Sequence, residues 1–236
     1  MAVNAAESDT ERMDDCCDGD GRERVFDDRF ARRVARRCRR RGLDPTRRRV
    51  VDFLDVRGVE DATVLEIGGG IGELHVELLR RGARTATNLE ISTGYDDEAA
   101  RLLDRSGLGD RVTRRLLDIA TAPDAVEPAD VVVLHRVVCC YPDYQRLLAA
   151  AAGHARQLLV FSYPPRNPFT RASFALDNLG RRLRRNDFRA FVHPPDAMTA
   201  VVASHGMVLR YRHRGLSWAV VGFERAAGPL PGPAPG

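Results

Sequence analysis

The sequence predicts an α/β fold: a doubly wound, mostly parallel, seven-stranded sheet with helices before it and an antiparallel hairpin at its end. Three observations predict it. Short, continuously apolar runs such as ATVLEIG (62–68), DVVVLH (130–135) and QLLVFSYP (157–164) read as strands buried on both faces. Stretches with apolar residues three or four apart lie between most of them, the alternation that βαβ units require. The last two runs, MVLRYRHRG and LSWAVVGFER, have only a turn between them and read as an antiparallel edge pair.

The elements follow in order. Residues 1–21 are acidic and small and read as a disordered leader without the basic start and apolar stretch of a secretory signal. Residues 22–58 read as a cap of two helices. In the first, Phe26, Phe30, Val34 and Cys38 recur every four residues as one apolar stripe, with Gly42 as its stop. The second opens at Asp44 as N-cap with Pro45 at its first position, and ends at Gly58. The main domain, 59–225, then alternates: strand 62–68, helix 71–81, strand 83–91, the helix DDEAARLLDRS, a weaker strand VTRRLLDI, strand 130–135, the helix DYQRLLAAAAGHAR and strand 157–164. A helix-like stretch, the helix PDAMTAVVASHG and the closing hairpin complete it. Residues 226–236 are rich in Pro and Gly and read as a disordered tail.

Composition excludes some classes. With 236 residues, 44% of them hydrophobic, the chain is large enough for one α/β domain with a sizeable core. All 37 basic residues are Arg, against 33 acids, and a net charge of +4 does not mark a nucleic-acid binder. No apolar run reaches membrane-spanning length. The five cysteines, Cys16, Cys17, Cys38, Cys139 and Cys140, include two vicinal pairs and no C-x-x-C. Vicinal pairs chelate poorly, so no metal is expected, and free thiols point to a reducing cytoplasm.

The motif richest in chemistry is Val64-Leu65-Glu66-Ile67-Gly68-Gly69-Gly70-Ile71-Gly72, where the first strand turns into a helix. Glycines let a backbone approach a ligand closely. The G-x-G-x-x-G spacing of dinucleotide enzymes fails, because Glu73 or His75 stands where the third glycine belongs. The pattern is E-x-G-x-G-x-G, and a carboxylate at the strand end suits an amino-bearing or cationic ligand better than a pyrophosphate. Glu90 ends the second strand, 18 residues after Gly72, near the distance at which an acid accepts bonds from ribose hydroxyls. Asp118 ends the third strand and could accept from an adenine amino group, with Ile91 and Ile119 placed to sandwich a flat base.

This set of a glycine loop, three acids at successive strand ends and a terminal hairpin resembles the class I S-adenosylmethionine (SAM) dependent methyltransferases, over about residues 60–225. The resemblance implies a Rossmann-like fold and SAM as cofactor. It implies that Glu66, Gly68, Gly70 and Gly72 hold the methionine part, Glu90 the ribose, and Asp118 with Ile119 the adenine. It implies a small-molecule methyl acceptor, methylated on oxygen or nitrogen. The loop after the fourth strand commonly faces the acceptor in this family. His135 there could remove a proton or could pack beside the adenine; Tyr141, the second catalytic candidate, could line the pocket; Arg136 could pair with an acceptor carboxylate or stay solvated. The segment after the fifth strand brings Tyr163, Arg166 and His193 as acceptor-pocket candidates, with ordinary packing as the alternative. The two leading helices, VVVLHRVVCCYPDY and FVHPPDAM are distantly similar to magnesium-protoporphyrin O-methyltransferases, which esterify a porphyrin propionate; Arg136 stands where that group carries an Asp.

A second class stays open at this point: an RNA-directed methyltransferase or a catalytically silent SAM-binding module. Its motive is the run Arg32, Arg33, Arg36, Arg37, Arg39, Arg40 and Arg41, which a solvated helix face also explains. The N-P-P-Y type motif of base N-methyltransferases is absent. The sequence does not choose an oligomeric state.

Overall fold

The computed structural model describes residues 19–226. The leader residues 1–18 and the tail residues 227–236 lie outside them; residues 19–21, expected in the leader, open a helix. Three helices, not two, precede the sheet: α1 (Gly19–Val25), α2 (Asp28–Arg41) and α3 (Pro45–Arg57). The stripe from Phe26 to Cys38 is therefore not one helix. Asp27 interrupts it, because its extended backbone and its carboxylate, which accepts the Phe30 N–H at 2.8 Å, make it the N-cap of α2. Asp44 caps α3 in the same way, accepting from Thr46 and Arg47, ahead of Pro45.

The sheet holds β1 (Thr63–Ile67), β2 (Thr85–Glu90), β3 (Val112–Leu116), β4 (Ala129–Leu134), β5 (Ala155–Tyr163), β6 (Met207–His213) and β7 (Ala219–Arg225) in the order β3-β2-β1-β4-β5-β7-β6. The first five pair in parallel, and β7 pairs antiparallel to both β5 and β6. The closing hairpin thus does not sit wholly at the edge: β7 inserts beside β5, and β6 alone is the edge. β3 is shorter than VTRRLLDI. Asp118 folds its carboxylate back to accept the Ala120 N–H at 2.9 Å, a turn that ends the strand.

The remaining helices are α4 (Glu73–Arg80), α5 (Asp96–Ser106), α6 (Tyr144–His154), α7 (Pro168–Leu183) and α8 (Pro195–Ser204). Strand alternation divides the core into two layers. Val64, Val131, Val133, Val160 and Val220 pack under α3 and α4, against Phe53, Leu54, Leu74 and Leu78. Leu65, Ile67, Leu134, Leu159 and Phe223 pack under α6 and α8, against Leu147, Leu148, Met198 and Val202. The same alternation sends Glu66 to the α4 side. A third, smaller cluster joins Ala31 and Ala35 of α2 to Ile71 and Tyr95, and seats the cap on the domain.

Candidate active site

Strand order changes direction between β1 and β4, and in open α/β sheets that switch leaves a crevice beyond the strands' carboxyl ends. Here a cavity of about 450 Å³ occupies it. The ends of β1, β2 and β4 form its floor through Glu66, Gly68–Gly70, Glu90, Ile91 and His135. The cap forms its roof: Phe26, Phe30, Val34 and Cys38, together with Asp44 and Arg47.

The glycine loop is required by its surroundings. Gly68 and Gly70 have φ of 64° and 57°, in the left-handed region. A Cβ on Gly68 would stand 2.5 Å from Val137 Cγ2, and one on Gly69 2.5 Å from Asn88 Oδ1. Gly72 does not line the cavity; the His75 ring fills the place its Cβ would take. His75 Nδ1–H donates to Glu66 Oε2 at 2.6 Å and the His75 backbone N–H to the same oxygen at 3.2 Å. Glu66 Oε1 makes no hydrogen bond among the described residues, so it is the oxygen left to receive an amino group.

Glu90 ties the floor together. Its Oε2 accepts the Gly70 N–H at 2.9 Å, and its Oε1 accepts those of Ile91 at 2.8 Å and Ser92 at 3.3 Å. Burial pushes this carboxyl above the usual range, against the pull of those N–H groups. Three of the four lone-pair sites of the carboxylate are thus used, and Oε2 keeps one for a further donor, such as a hydroxyl. The donor set, an acid beside a glycine corner and a second acid at the next strand end, fits an adenosyl group carrying an amino acid.

Asp118 and Ile119 do not line the cavity. Ile119 is packed in the core with α6, and the Asp118 carboxylate accepts from Ala120 and from the Tyr141 hydroxyl at 2.9 Å. Asp118 reaches the cavity through a tie: it fixes Tyr141, which lines the cavity. Burial, with the Asp118 charge beside it, pushes the Tyr141 phenol up, so this group holds its proton.

At the end of β4, His135 is buried, with Nδ1 3.0 Å from Ser162 Oγ and Nε2 without a partner. Burial, then the charges of Arg47 and Arg136, push its imidazole well below the ordinary histidine value. Arg136 follows with a φ of 60°, a left-handed backbone rare outside glycine. Its N–H donates to Ser162 Oγ at 2.9 Å, and its guanidinium lies 3.3 Å from Asp44 and 4.7 Å over the Trp218 ring. Asp44 also pairs with Arg47 at 2.6 Å, and Arg47 reaches Glu73 at 2.6 Å. Burial opposes the Asp44 charge, yet Arg136 and the Arg47 backbone N–H and guanidinium hold its carboxyl down at about 2.

Three acceptor-pocket expectations fall away from the cavity. Tyr163 is the last residue of β5 and points into the α6 and α8 layer beside Phe161. Arg166 is exposed on the far loop. His193 donates Nε2–H to the Tyr141 carbonyl at 3.0 Å and packs on Tyr144, with ring centroids 4.5 Å apart. The cap supplies what they do not. Phe26, Phe30 and Val34 pack beside the small cluster of Ala31, Ala35, Ile71 and Tyr95 and also line the cavity. The Arg run divides too: Arg33 and Arg37 line the cavity, while Arg32 pairs with Asp28 and Arg39 with Glu98. Among the described residues no His, Cys, Asp and Glu group is placed to hold a metal, and no helix is long and apolar enough to cross a membrane.

The family model described as a methyltransferase domain matches residues 65–157, from β1 into β5. No curated protein matches the chain in sequence. Among solved structures, the chain is similar to the magnesium protoporphyrin IX methyltransferase of Synechocystis with bound SAH, at 20% identity and a TM-score of 0.63, over 77% of this chain and 82% of that one. It is similar to an O-methyltransferase family protein from Burkholderia thailandensis, at 21% identity and a TM-score of 0.65, over 85% of this chain and 59% of that one. It is also similar to an O-methyltransferase family 2 protein from Planctomyces limnophilus in complex with apigenin, at 16% identity and a TM-score of 0.62, over 84% of this chain and 62% of that one. The chain thus spans less than two thirds of the last two. Family model and fold agree: residues 65–157 match the methyltransferase-domain model, and the chain has the fold of the class I SAM-dependent methyltransferases.

Proposed function

We propose that the protein is a SAM-dependent methyltransferase acting on oxygen or nitrogen of a small-molecule acceptor, with residues 22–58 as a cap over the acceptor. Glu90 carries the reading: a buried carboxylate anchored by three backbone N–H groups at the cavity floor, with one acceptor site left on Oε2 for a ribose hydroxyl. Glu66 Oε1 would take the amino group, Gly68 and Gly70 would let the methionine part lie close to backbone, and Ile91 would lie along the base. When bound, the sulfonium supplies a methyl already activated for transfer, its C–S bond breaking as the bond to the acceptor forms. The chain's own contribution is then orientation and exclusion of water, a form of catalysis worth on the order of 7–11 kcal/mol at its best. The Synechocystis neighbour with bound SAH supports the cofactor, and the neighbour in complex with apigenin supports a small acceptor.

Calorimetry tests this. SAM and S-adenosylhomocysteine should bind the wild-type chain with micromolar affinity. Glu90→Ala should weaken binding about tenfold or more, as expected when a charged hydrogen bond to a hydroxyl is lost at about 1.5–3 kcal/mol. Absence of binding heat from both compounds in the wild type overturns the reading.

A further inference from the structure

Ser162 determines how His135 meets the acceptor. Its hydroxyl is fully buried and has two neighbours among the described residues: the Arg136 N–H at 2.9 Å, which can only donate to it, and His135 Nδ1 at 3.0 Å. The serine proton therefore has one place to go, onto Nδ1. In the neutral ring that leaves the proton of His135 on Nε2, a buried N–H without a partner on the cavity floor. Such a group donates; it cannot take a proton from the acceptor. The role of general base expected for His135 is thus reversed.

The wall around it agrees. Arg33 and Arg37 line the cavity with no ion pair among the described residues, and Arg22 keeps a buried Nε without a partner. Asp44 and Glu73, the acids on this side, are already paired with Arg47 and Arg136. Phe26, Phe30 and Val34 line the same cavity as an apolar strip, with the Arg33 guanidinium 5.7 Å from the Phe30 ring centroid.

On these grounds, and resting on the methyltransferase reading, we propose that the acceptor is an oxygen acid that arrives as its anion, with an apolar body. Its oxygen receives the His135 Nε2–H, its body lies along Phe26, Phe30 and Val34, and its negative charge is matched by Arg33 and Arg37. An oxygen that is already anionic needs no base: the new C–O bond forms with the anion's own electron pair, the C–S pair goes to sulfur, and no proton moves. A carboxylate is the simplest group of this kind, and the product would be its methyl ester.

Two probes of equal shape test the charge. 2-Naphthoate and 2-naphthamide are titrated into the full chain loaded with S-adenosylhomocysteine. Naphthoate should bind about tenfold or more tightly, the range expected of a hydrogen bond to an ion. The exposed pair Arg33→Gln with Arg37→Gln, which leaves the core intact, should erase most of that preference. Equal or tighter binding of naphthamide, or no binding of either to the loaded chain, overturns the proposal. In ¹⁵N-labelled protein the His135 ring should carry its proton on Nε2; a proton on Nδ1 overturns it as well. Should S-adenosylhomocysteine fail to bind while naphthoate is still preferred by the unloaded chain, the cofactor reading falls and the anionic pocket stands.

Discussion

His135 shows how much a single residue's surroundings decide. From sequence it is a histidine at a strand mouth, ready for either role. Burial and two guanidiniums keep it neutral, and one serine orients its ring. This has a consequence for stability. Its folded pKa lies below its unfolded value near 6.5, so as the pH falls below about 6.5 the unfolded chain takes up a proton that the folded chain refuses. Stability from this group is full above that pH and is lost as the pH drops, by up to about 1.4 kcal/mol per unit. Denaturant unfolding at pH 7.5 and 5.5 should show the loss, and His135→Gln should make it shallower. His193 and His213, shifted in the same direction chiefly by burial, contribute to the slope that remains. An unchanged slope in the variant would place the titration elsewhere.

At the scale of elements, the strands were legible because buried parallel strands are continuously apolar, and helix starts were legible where Asp44 and Pro45 mark them. Asp27 has the same chemistry as Asp44 but sits inside a stripe of period four, and the stripe hid the break. Periodicity says that one face is apolar; it does not say whether protein or ligand covers it. Asp118 was readable as a strand-end acid, but not its bond to Tyr141, which depends on where the loop after β4 returns. Tyr163, Arg166 and His193 lie outside the cavity lining because the chain turns away after β5. There α7 begins, and it is unusual. Phe169, Leu176, Leu179 and Leu183 are all exposed, at 53% or more, while Thr170, Phe174 and Asn178 face the protein. Among the described residues the apolar side of this helix stays exposed, so Leu176→Ser and Leu183→Ser should shift unfolding by less than about 0.5 kcal/mol. Leu148→Ala on α6, fully buried, should cost about 2–5 kcal/mol in the same chemical-denaturation measurement.

At the scale of the molecule, the cap and the cofactor floor are one mechanical unit. Thr93 N–H donates to Glu23 Oε1 at 3.1 Å, and the Ser92 hydroxyl lies 2.9 Å from Glu23 Oε2 and 3.1 Å from the Phe26 carbonyl. Ser92 N–H is also bonded to Glu90. The residues that join α1 to the domain are thus the neighbours of the carboxylate assigned to the ribose, and a Cβ on Gly94 would strike the Phe26 carbonyl, so the junction is close. A ligand that binds only the folded state stabilises it by about 2.7 kcal/mol at a hundred times its Kd. Here that stabilisation should reach past the sheet. Hydrogen exchange with saturating S-adenosylhomocysteine should show slower exchange in α1 and α2 as well as in the glycine loop. Glu23→Ala removes the carboxylate from the junction without touching the floor, so it should keep the loop's protection and lose most of that in the cap. Protection confined to the loop in the wild type would mean that the cap closes independently of the cofactor and responds to the acceptor alone.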